Sequence, residues 1–240
     1  MKNVDVLFFD ILGTVVDWRG SITDKVEAFL KRHDISHIDA RALTDTWVGH
    51  YDRAIDPIRK GQRSFTSLDT INRENLETCL AQLNLPPSQF DHEELNILNH
   101  AWHTLDPWPD AVEGITRLKE HYIVAPLSDG HTRLLINMAK HAHLPWDMIF
   151  GADMSQSYKP SPRAYLHACE LLNIPPQRAM LVAAHDYDLE GARSCGLKTA
   201  FVPREHGANP SKETDAPLPD QWDYKAGNLL ELAALLNKIR

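Results

Sequence analysis

Asp10 ends a short apolar run, residues 4–9, and is followed by Ile11-Leu12-Gly13-Thr14. Three later segments place polar chemistry in the same way. Ser128-Asp129-Gly130 follows the apolar residues 123–127, Tyr158-Lys159-Pro160 forms a proline-rich turn, and His185-Asp186-Tyr187-Asp188 follows residues 180–184. In open parallel sheets, ligands bind beyond the carboxyl ends of the strands. Brought to one such edge, these residues supply carboxylates, a hydroxyl and an ammonium. A carboxylate is a weak nucleophile that becomes effective when it is desolvated and oriented. Taken singly, an aspartate after a strand is commonly a turn former or a helix cap, and a lysine before proline is commonly a surface residue. Caps do not explain all four segments in this order.

The elements that must position them are readable from periodicity. Residues 4–9 read as a buried strand that delivers Asp10 to its tip. Between residues 22 and 105 strand signals vanish, and helices are expected over 23–32, 40–60, 67–83 and 92–105. The first has Val26, Phe29 and Leu30 on one face, and Pro86-Pro87 breaks the series. After Pro107, strands at 123–127, 148–150, 180–184 and 199–202 alternate with helices ending near 142 and spanning 162–172 and 189–195. This alternation predicts βαβ units and a parallel sheet. Residues 206–220 read as a surface loop and 229–239 as a closing amphipathic helix. The expected fold class is α/β, with core residues 1–17 and 106–240 interrupted by an all-helical insert over 18–105. Gly13 and Gly20 are candidate hinge points. Trp18, Trp47, Trp102 and Trp108 are expected in packing at the core or the neck of the insert, and two of them are placed to wall a cleft.

Composition narrows the function classes. The 240 residues are 43% apolar, enough for a sizeable core, and carry a formal charge of −8 from 33 acidic and 25 basic residues. That balance argues against nucleic acid, whose phosphates require a basic face. No run reaches the roughly 20 apolar residues of a membrane span, and Val6-Leu7-Phe8-Phe9 is too short for a signal peptide, so a cytoplasmic location is expected. Cys79, Cys169 and Cys195 are odd in number and widely spaced, which predicts buried free thiols rather than disulfides. The pairs His100/His103 and His141/His143 lack a third ligand at zinc spacing, so no metal site is expected.

The chain resembles the haloacid dehalogenase superfamily, and within it the type II L-2-haloacid dehalogenases. The resemblance rests on Phe9 to Thr14, on Leu127 to Gly130, on Tyr158-Lys159-Pro160-Ser161-Pro162-Arg163-Ala164-Tyr165 and on Asp188-Leu189-Glu190-Gly191-Ala192-Arg193. It implies a Rossmann-like core with a helical cap and a small anionic 2-haloacid as substrate. It implies that Asp10 attacks C2, expels halide with inversion and forms an ester that water then hydrolyses at the Asp10 carboxyl carbon. Lys159 would compensate the negative charge, since neighbouring acids otherwise raise one another's pKa. Thr14 and Ser128 would donate hydrogen bonds, and Asp188 would hold Lys159 or polarise water. Leu12, Asp129, Gly130, Tyr165, His185 and Arg53 are the expected substrate-binding residues. No cofactor is implied. Relatives often pair through cap or core helices, which leaves a homodimer open.

Departures from the family pattern cut both ways. Phosphatases of the superfamily carry an acid two residues after the nucleophile and a Mg²⁺ ligand four residues before the Asp188 position; here these are Leu12 and Ala184. Both favour carbon–halogen over phosphoryl chemistry, because halide leaves without a proton, although Asp186 lies close by. The cap arginine that dehalogenases place just after a tryptophan is Val48 here, which leaves Arg53, Arg59 or Arg19 to bind the substrate carboxylate. The family's aromatic at position 12 is Leu12, its asparagine beside Ser128 is Asp129, and its serine and asparagine before Asp188 are Ala183 and His185. His185 reads equally as a water-activating group or as a hydrogen-bonded strand-end histidine. A phosphatase with altered metal ligation, and a catalytically impaired relative that binds a small acid or a protein, are the alternative functions.

Overall fold

The computed structural model describes residues 4–204 and 221–238. Its centre is a six-stranded sheet. In chain order the strands are β1 (Val6–Phe9), β4 (Ile123–Ser128), β5 (Phe150–Gly151), β6 (Ala179–Ala183), β7 (Lys198–Phe201) and β8 (Tyr224–Lys225). Their spatial order is β5-β4-β1-β6-β7-β8, and every pairing is parallel. The chain runs outward from β1 through β4 to β5, then crosses to β6 on the other side. The strand order therefore reverses beside β1, the place where an open α/β sheet leaves a crevice at its carboxyl edge.

The sheet is buried on both faces, which is why its strands read as unbroken apolar runs. Leu7, Phe9, Val124, Met180 and Val182 face one cluster. Helices α6 (Ala111–Lys119), α7 (Thr132–His141) and α11 (Leu229–Lys238) pack there through Ile115, Leu118, Leu134, Leu229 and Leu232. Val6, Phe8, Ala125, Leu181 and Ala183 face the other cluster, covered by α9 (Pro162–Leu171) and α10 (Asp186–Ser194) through Tyr165, Ala168 and Leu189. The alternation along β1 is the period of two that a strand imposes. A one-turn helix, α8 (Ala152–Ser155), completes the described core.

The insert leaves and returns through a two-stranded antiparallel neck, β2 (Val16–Asp17) with β3 (Asp106–Pro107). Between them, the described residues form helices α1 (Trp18–Arg32), α2 (Ala40–Gly49), α3 (Tyr51–Arg59), α4 (Leu68–Gln82) and α5 (His92–Asn99), with turns. Asp17 caps α1 by accepting from the Gly20 N–H at 2.9 Å. A Cβ on Gly20 would stand 2.4 Å from the Asp17 carboxylate, so this glycine serves a close approach inside the first turn. Gly13, at φ +89°, occupies the left-handed region at the turn after Asp10. Trp102 stacks on Trp18 and meets Trp47 edge-on.

Two of the expected helices are interrupted. The helix over 40–60 breaks at His50 into α2 and α3. Gly49, just before the break, costs about 1 kcal/mol against alanine in a helix. The helix over 92–105 ends at Asn99 and tightens into a 3-10 turn, His100–His103. The helix expected to begin at 189 begins at Asp186, with Asp186 and Asp188 in its first turn, where carboxylates complement the helix dipole. The loop expected over 206–220 lies outside the described residues. No helix of the described residues is long and apolar enough to cross a membrane.

Candidate active site

The carboxyl ends of β1, β4 and β6 and the turn before α9 converge on one cluster. The Asp10 N–H continues the sheet by donating to the Val182 carbonyl at 3.0 Å, which fixes the backbone of the first residue past β1. Its side chain is buried. One oxygen, Oδ2, accepts the Thr14 hydroxyl at 2.7 Å. Thr14 Oγ1 in turn accepts the Ala184 N–H at 2.8 Å, so the hydroxyl proton is directed at Asp10. The other oxygen, Oδ1, accepts Lys159 Nζ at 3.1 Å.

Lys159 is the hub of the cluster, with 2% of its surface exposed. Nζ also donates to Asp188 Oδ2 at 2.6 Å, and its backbone N–H donates to Asp129 Oδ1 at 2.9 Å. Asp188 is fully buried, and its second oxygen accepts the Tyr165 hydroxyl at 2.7 Å. Gly191 makes room for that hydroxyl, since a Cβ there would lie 2.6 Å from it.

Burial disfavours every one of these charges, and their partners decide the outcome. Burial pushes the Asp10 carboxyl up, but Lys159, His185 and the Thr14 hydrogen bond together hold it below the usual carboxylate range. Asp188 goes the other way: burial and the neighbouring Asp10 raise it despite Lys159 and Tyr165. Burial also leaves Asp129 raised. For Lys159, burial opposes the charge, yet Asp188, Asp10 and Asp129 lift its pKa above the ordinary lysine value. The ground state is thus an ionised Asp10 clamped to an ammonium.

The expected site residues are not all alike in placement. Asp10, Thr14, Lys159, Asp188 and Asp129 form one bonded group. The Ser128 hydroxyl accepts the Gly130 N–H at 3.1 Å and makes no recorded bond to Asp10. His185 Nε2 donates to the Leu12 carbonyl at 2.9 Å and lies 3.6 Å from Asp10 Oδ2. Leu12, half-buried, follows the same turn. Tyr165 was expected against substrate. It lies behind Asp188, wholly buried with its hydroxyl committed, and steadies that carboxylate. Arg53 is exposed, and no described bond joins it to the cluster. Arg19 is engaged by Asp45 in a paired contact.

Two neighbours were not expected. Tyr51, the first residue of α3, donates its hydroxyl to Asp129 Oδ2 and so reaches from the insert into the core. Burial and the facing Asp129 raise its pKa strongly. The break at Gly49-His50 is the sequence signal that could have found it. Tyr187 stacks on His185, with ring centroids 5.7 Å apart, and it feels the charges of Asp188, Asp10 and Asp129.

Comparison with known proteins places this geometry. Residues 4–196 match the haloacid dehalogenase-like hydrolases. The crystal structure of a defluorinating L-2-haloacid dehalogenase is 43% identical and superposes with a TM-score of 0.94, covering 98% of this chain and 96% of that one. A second L-2-haloacid dehalogenase structure is 41% identical with a TM-score of 0.90, covering 99% and 100%. (S)-2-haloacid dehalogenase 4A of Burkholderia cepacia is 36% identical over 144 residues, which is 59% of this chain and 60% of that protein. The chain therefore belongs to the haloacid dehalogenase-like hydrolase family.

Proposed function

We propose that the protein is an (S)-2-haloacid dehalogenase that converts a small 2-haloacid and water into the 2-hydroxy acid, halide and a proton. Residues 1–17 and 106–240 are the catalytic core in this reading, and residues 18–105 are the cap. The observation that carries it is the Lys159 ammonium seated between Asp10 and Asp188. It supplies positive charge where phosphatases of the superfamily use a divalent cation, while Leu12 and Ala184 withhold the acid and the metal ligand that phosphoryl transfer uses. Relatives more than 40% identical along the whole chain are dehalogenases by name.

An Asp10 oxygen attacks C2 from the side opposite the halogen. The C–O bond forms as the C–X bond breaks, and the electron pair leaves with halide. Water then adds to the Asp10 carboxyl carbon, and the ester opens to return Asp10. Thr14 fixes one oxygen of the nucleophile, and Lys159 keeps it ionised at the ground-state cost of a buried ion pair. Asp188 and Tyr165 hold Lys159 in place. The substrate carboxylate falls to Arg59, which replaces the cap arginine missing at Val48. Its Nε is buried without a hydrogen-bond partner, and its charge is felt by Tyr51 and Asp129. Both Asp129 oxygens are taken up by the Tyr51 hydroxyl and the Lys159 N–H, which turns that charge away from the substrate. The reading includes a cytoplasmic location, supported by three free cysteines, and leaves a homodimer to be measured.

The test is halide release from (S)- and (R)-2-chloropropanoate without added metal, followed by mass spectrometry of the peptide containing residue 10. The (S) substrate is expected to turn over, and one turnover in ¹⁸O-water labels Asp10. Asp10→Asn is expected to lose at least about 10³-fold in rate while staying folded. Halide release by that variant, or Mg²⁺-dependent phosphoester hydrolysis by the wild type, refutes the reading.

A further inference from the structure

A second constellation lies on the boundary between insert and core, away from Asp10. Asp69 on α4 and His100 and His103 on the 3-10 turn each offer one ligand atom, and these atoms all lie within 4.8 Å of one another. In a 3-10 turn, residues three apart eclipse, and the two imidazoles stand with centroids 4.9 Å apart. His103 Nε2 is 2.9 Å from Asp69 Oδ1. From the core, His131 brings its Nε2 to 3.5 Å from Asp69 Oδ2. The third ligand that the sequence spacing lacks thus comes from another helix, 31 residues before His100.

We propose that this group is a zinc site that ties α4 to the 3-10 turn where the insert meets the core. One carboxylate faces two imidazoles, a donor set that suits a divalent ion of intermediate softness and leaves a fourth position to water. Tetrahedral bonds of about 2.0–2.1 Å put ligand atoms about 3.3–3.4 Å apart, and His103 Nε2 lies 2.9 and 3.1 Å from the two Asp69 oxygens, close to that value. His100 already has the tautomer a metal needs. Its Nδ1 donates to the Asn96 carbonyl at 2.9 Å, leaving the Nε2 lone pair outward. His131 packs edge-on against His103, with ring centroids 5.7 Å apart.

His103 requires one rearrangement. Asn137 Nδ2 lies 2.9 Å from Nδ1, and Arg133 fixes the amide by donating to its oxygen at 3.2 Å, so the imidazole proton sits on Nε2 and faces Asp69. On binding, that proton moves through solvent to Nδ1, and the Asn137 amide turns to accept it as the exposed Arg133 swings away from its oxygen. Asn137 is a second-sphere partner of the kind that orients metal-bound histidines.

The test uses tag-free, chelator-treated full-length protein titrated with zinc chloride in a calorimeter, with melting curves alongside. The proposal expects one zinc per chain, a Kd below about 10 μM, and a raised melting temperature. His100 is exposed and Asp69 is half-buried; His100→Ala and Asp69→Asn are expected to weaken zinc at least tenfold, and His121→Ala to leave it unchanged. No binding up to 100 μM zinc, or equal affinity in the His100→Ala and wild-type proteins, overturns the proposal. None of these readouts depends on dehalogenase activity, so failure here leaves the proposed function standing.

Discussion

Replacing Lys159 with methionine keeps the length of the side chain and removes the charge. In the native cluster the ammonium lies 3.1 Å from Asp10 and 2.6 Å from Asp188. At an effective dielectric constant near 20, each contact is worth about 5–6 kcal/mol of gross attraction. Desolvation cancels much of this, and breaking a buried pair costs about 3–5 kcal/mol net. The two carboxylates left behind meet that cost by binding a proton. Their titration therefore moves to higher pH. Ionised Asp10 is the reactive form, so turnover is lost as pH falls through its folded pKa. In the wild type burial opposes the charge, but Lys159, His185 and Thr14 hold that pKa below the usual carboxylate range; in Lys159→Met the largest of those supports is gone and the acid limb moves up. The assay is kcat/KM for (S)-2-chloropropanoate from pH 4 to pH 10, by halide release, with a melting curve at each pH. The variant is expected to be nearly inactive at neutral pH and to recover part of its rate in alkali. An acid limb that stays where the wild type has it, with more than a tenth of the wild-type rate at pH 7, refutes the electrostatic reasoning.

Other perturbations separate binding from scaffolding. Arg59→Ala is expected to raise KM for 2-haloacids about 10- to 100-fold with a smaller effect on kcat, the worth of a lost charge-assisted contact. Arg53→Ala should leave KM alone, and the reverse pattern would move the carboxylate site. Arg204 bonds both oxygens of Asp110, at 2.6 and 2.9 Å, and the Thr14 carbonyl at 3.0 Å, so Arg204→Ala is expected to destabilise the fold by about 3 kcal/mol. Burial raises Asp110, but Arg204 and the Leu229 N–H hold it below its usual value. Its stabilisation is therefore complete above the unfolded pKa and lost as pH falls through the folded one. The melting difference between wild type and Arg204→Ala should shrink below about pH 4; a constant difference across that range would count against the assignment.

Much of the catalytic edge is legible in the chain because its residues sit within four positions of the end of an apolar run. Val6-Leu7-Phe8-Phe9 can only be a strand covered on both sides, and Asp10 follows it. The same logic finds Asp129 and Asp188. Lys159 needs the proline-rich turn and the family resemblance as well. Tyr51 escapes this logic, because its partner Asp129 lies 78 positions away and hydrophobic periodicity runs through the helix break that aims it. Tyr165 is expected to bind substrate but sits behind Asp188, since a helix pattern does not reveal how deep a hydroxyl lies. Strands β2, β3 and β8 are two residues long, too short to leave a period. His100 and His103 look incomplete in the sequence because the carboxylate they meet is on a different helix.

The sheet order also dictates the timing of assembly. Val6 pairs with Ile123 on one side and with Ala179 on the other. Strand β1 is thus made before either of its neighbours, and it waits for both. At translation rates of about 5–20 residues per second, the wait for the second neighbour is roughly 10–35 s. Through that interval Val6–Phe9 is an uncovered apolar edge, the kind of surface on which nascent chains aggregate or recruit chaperones. A nascent chain released before Ala179–Ala183 has no partner for that edge, and the pocket around Asp10 closes only after its last strand arrives.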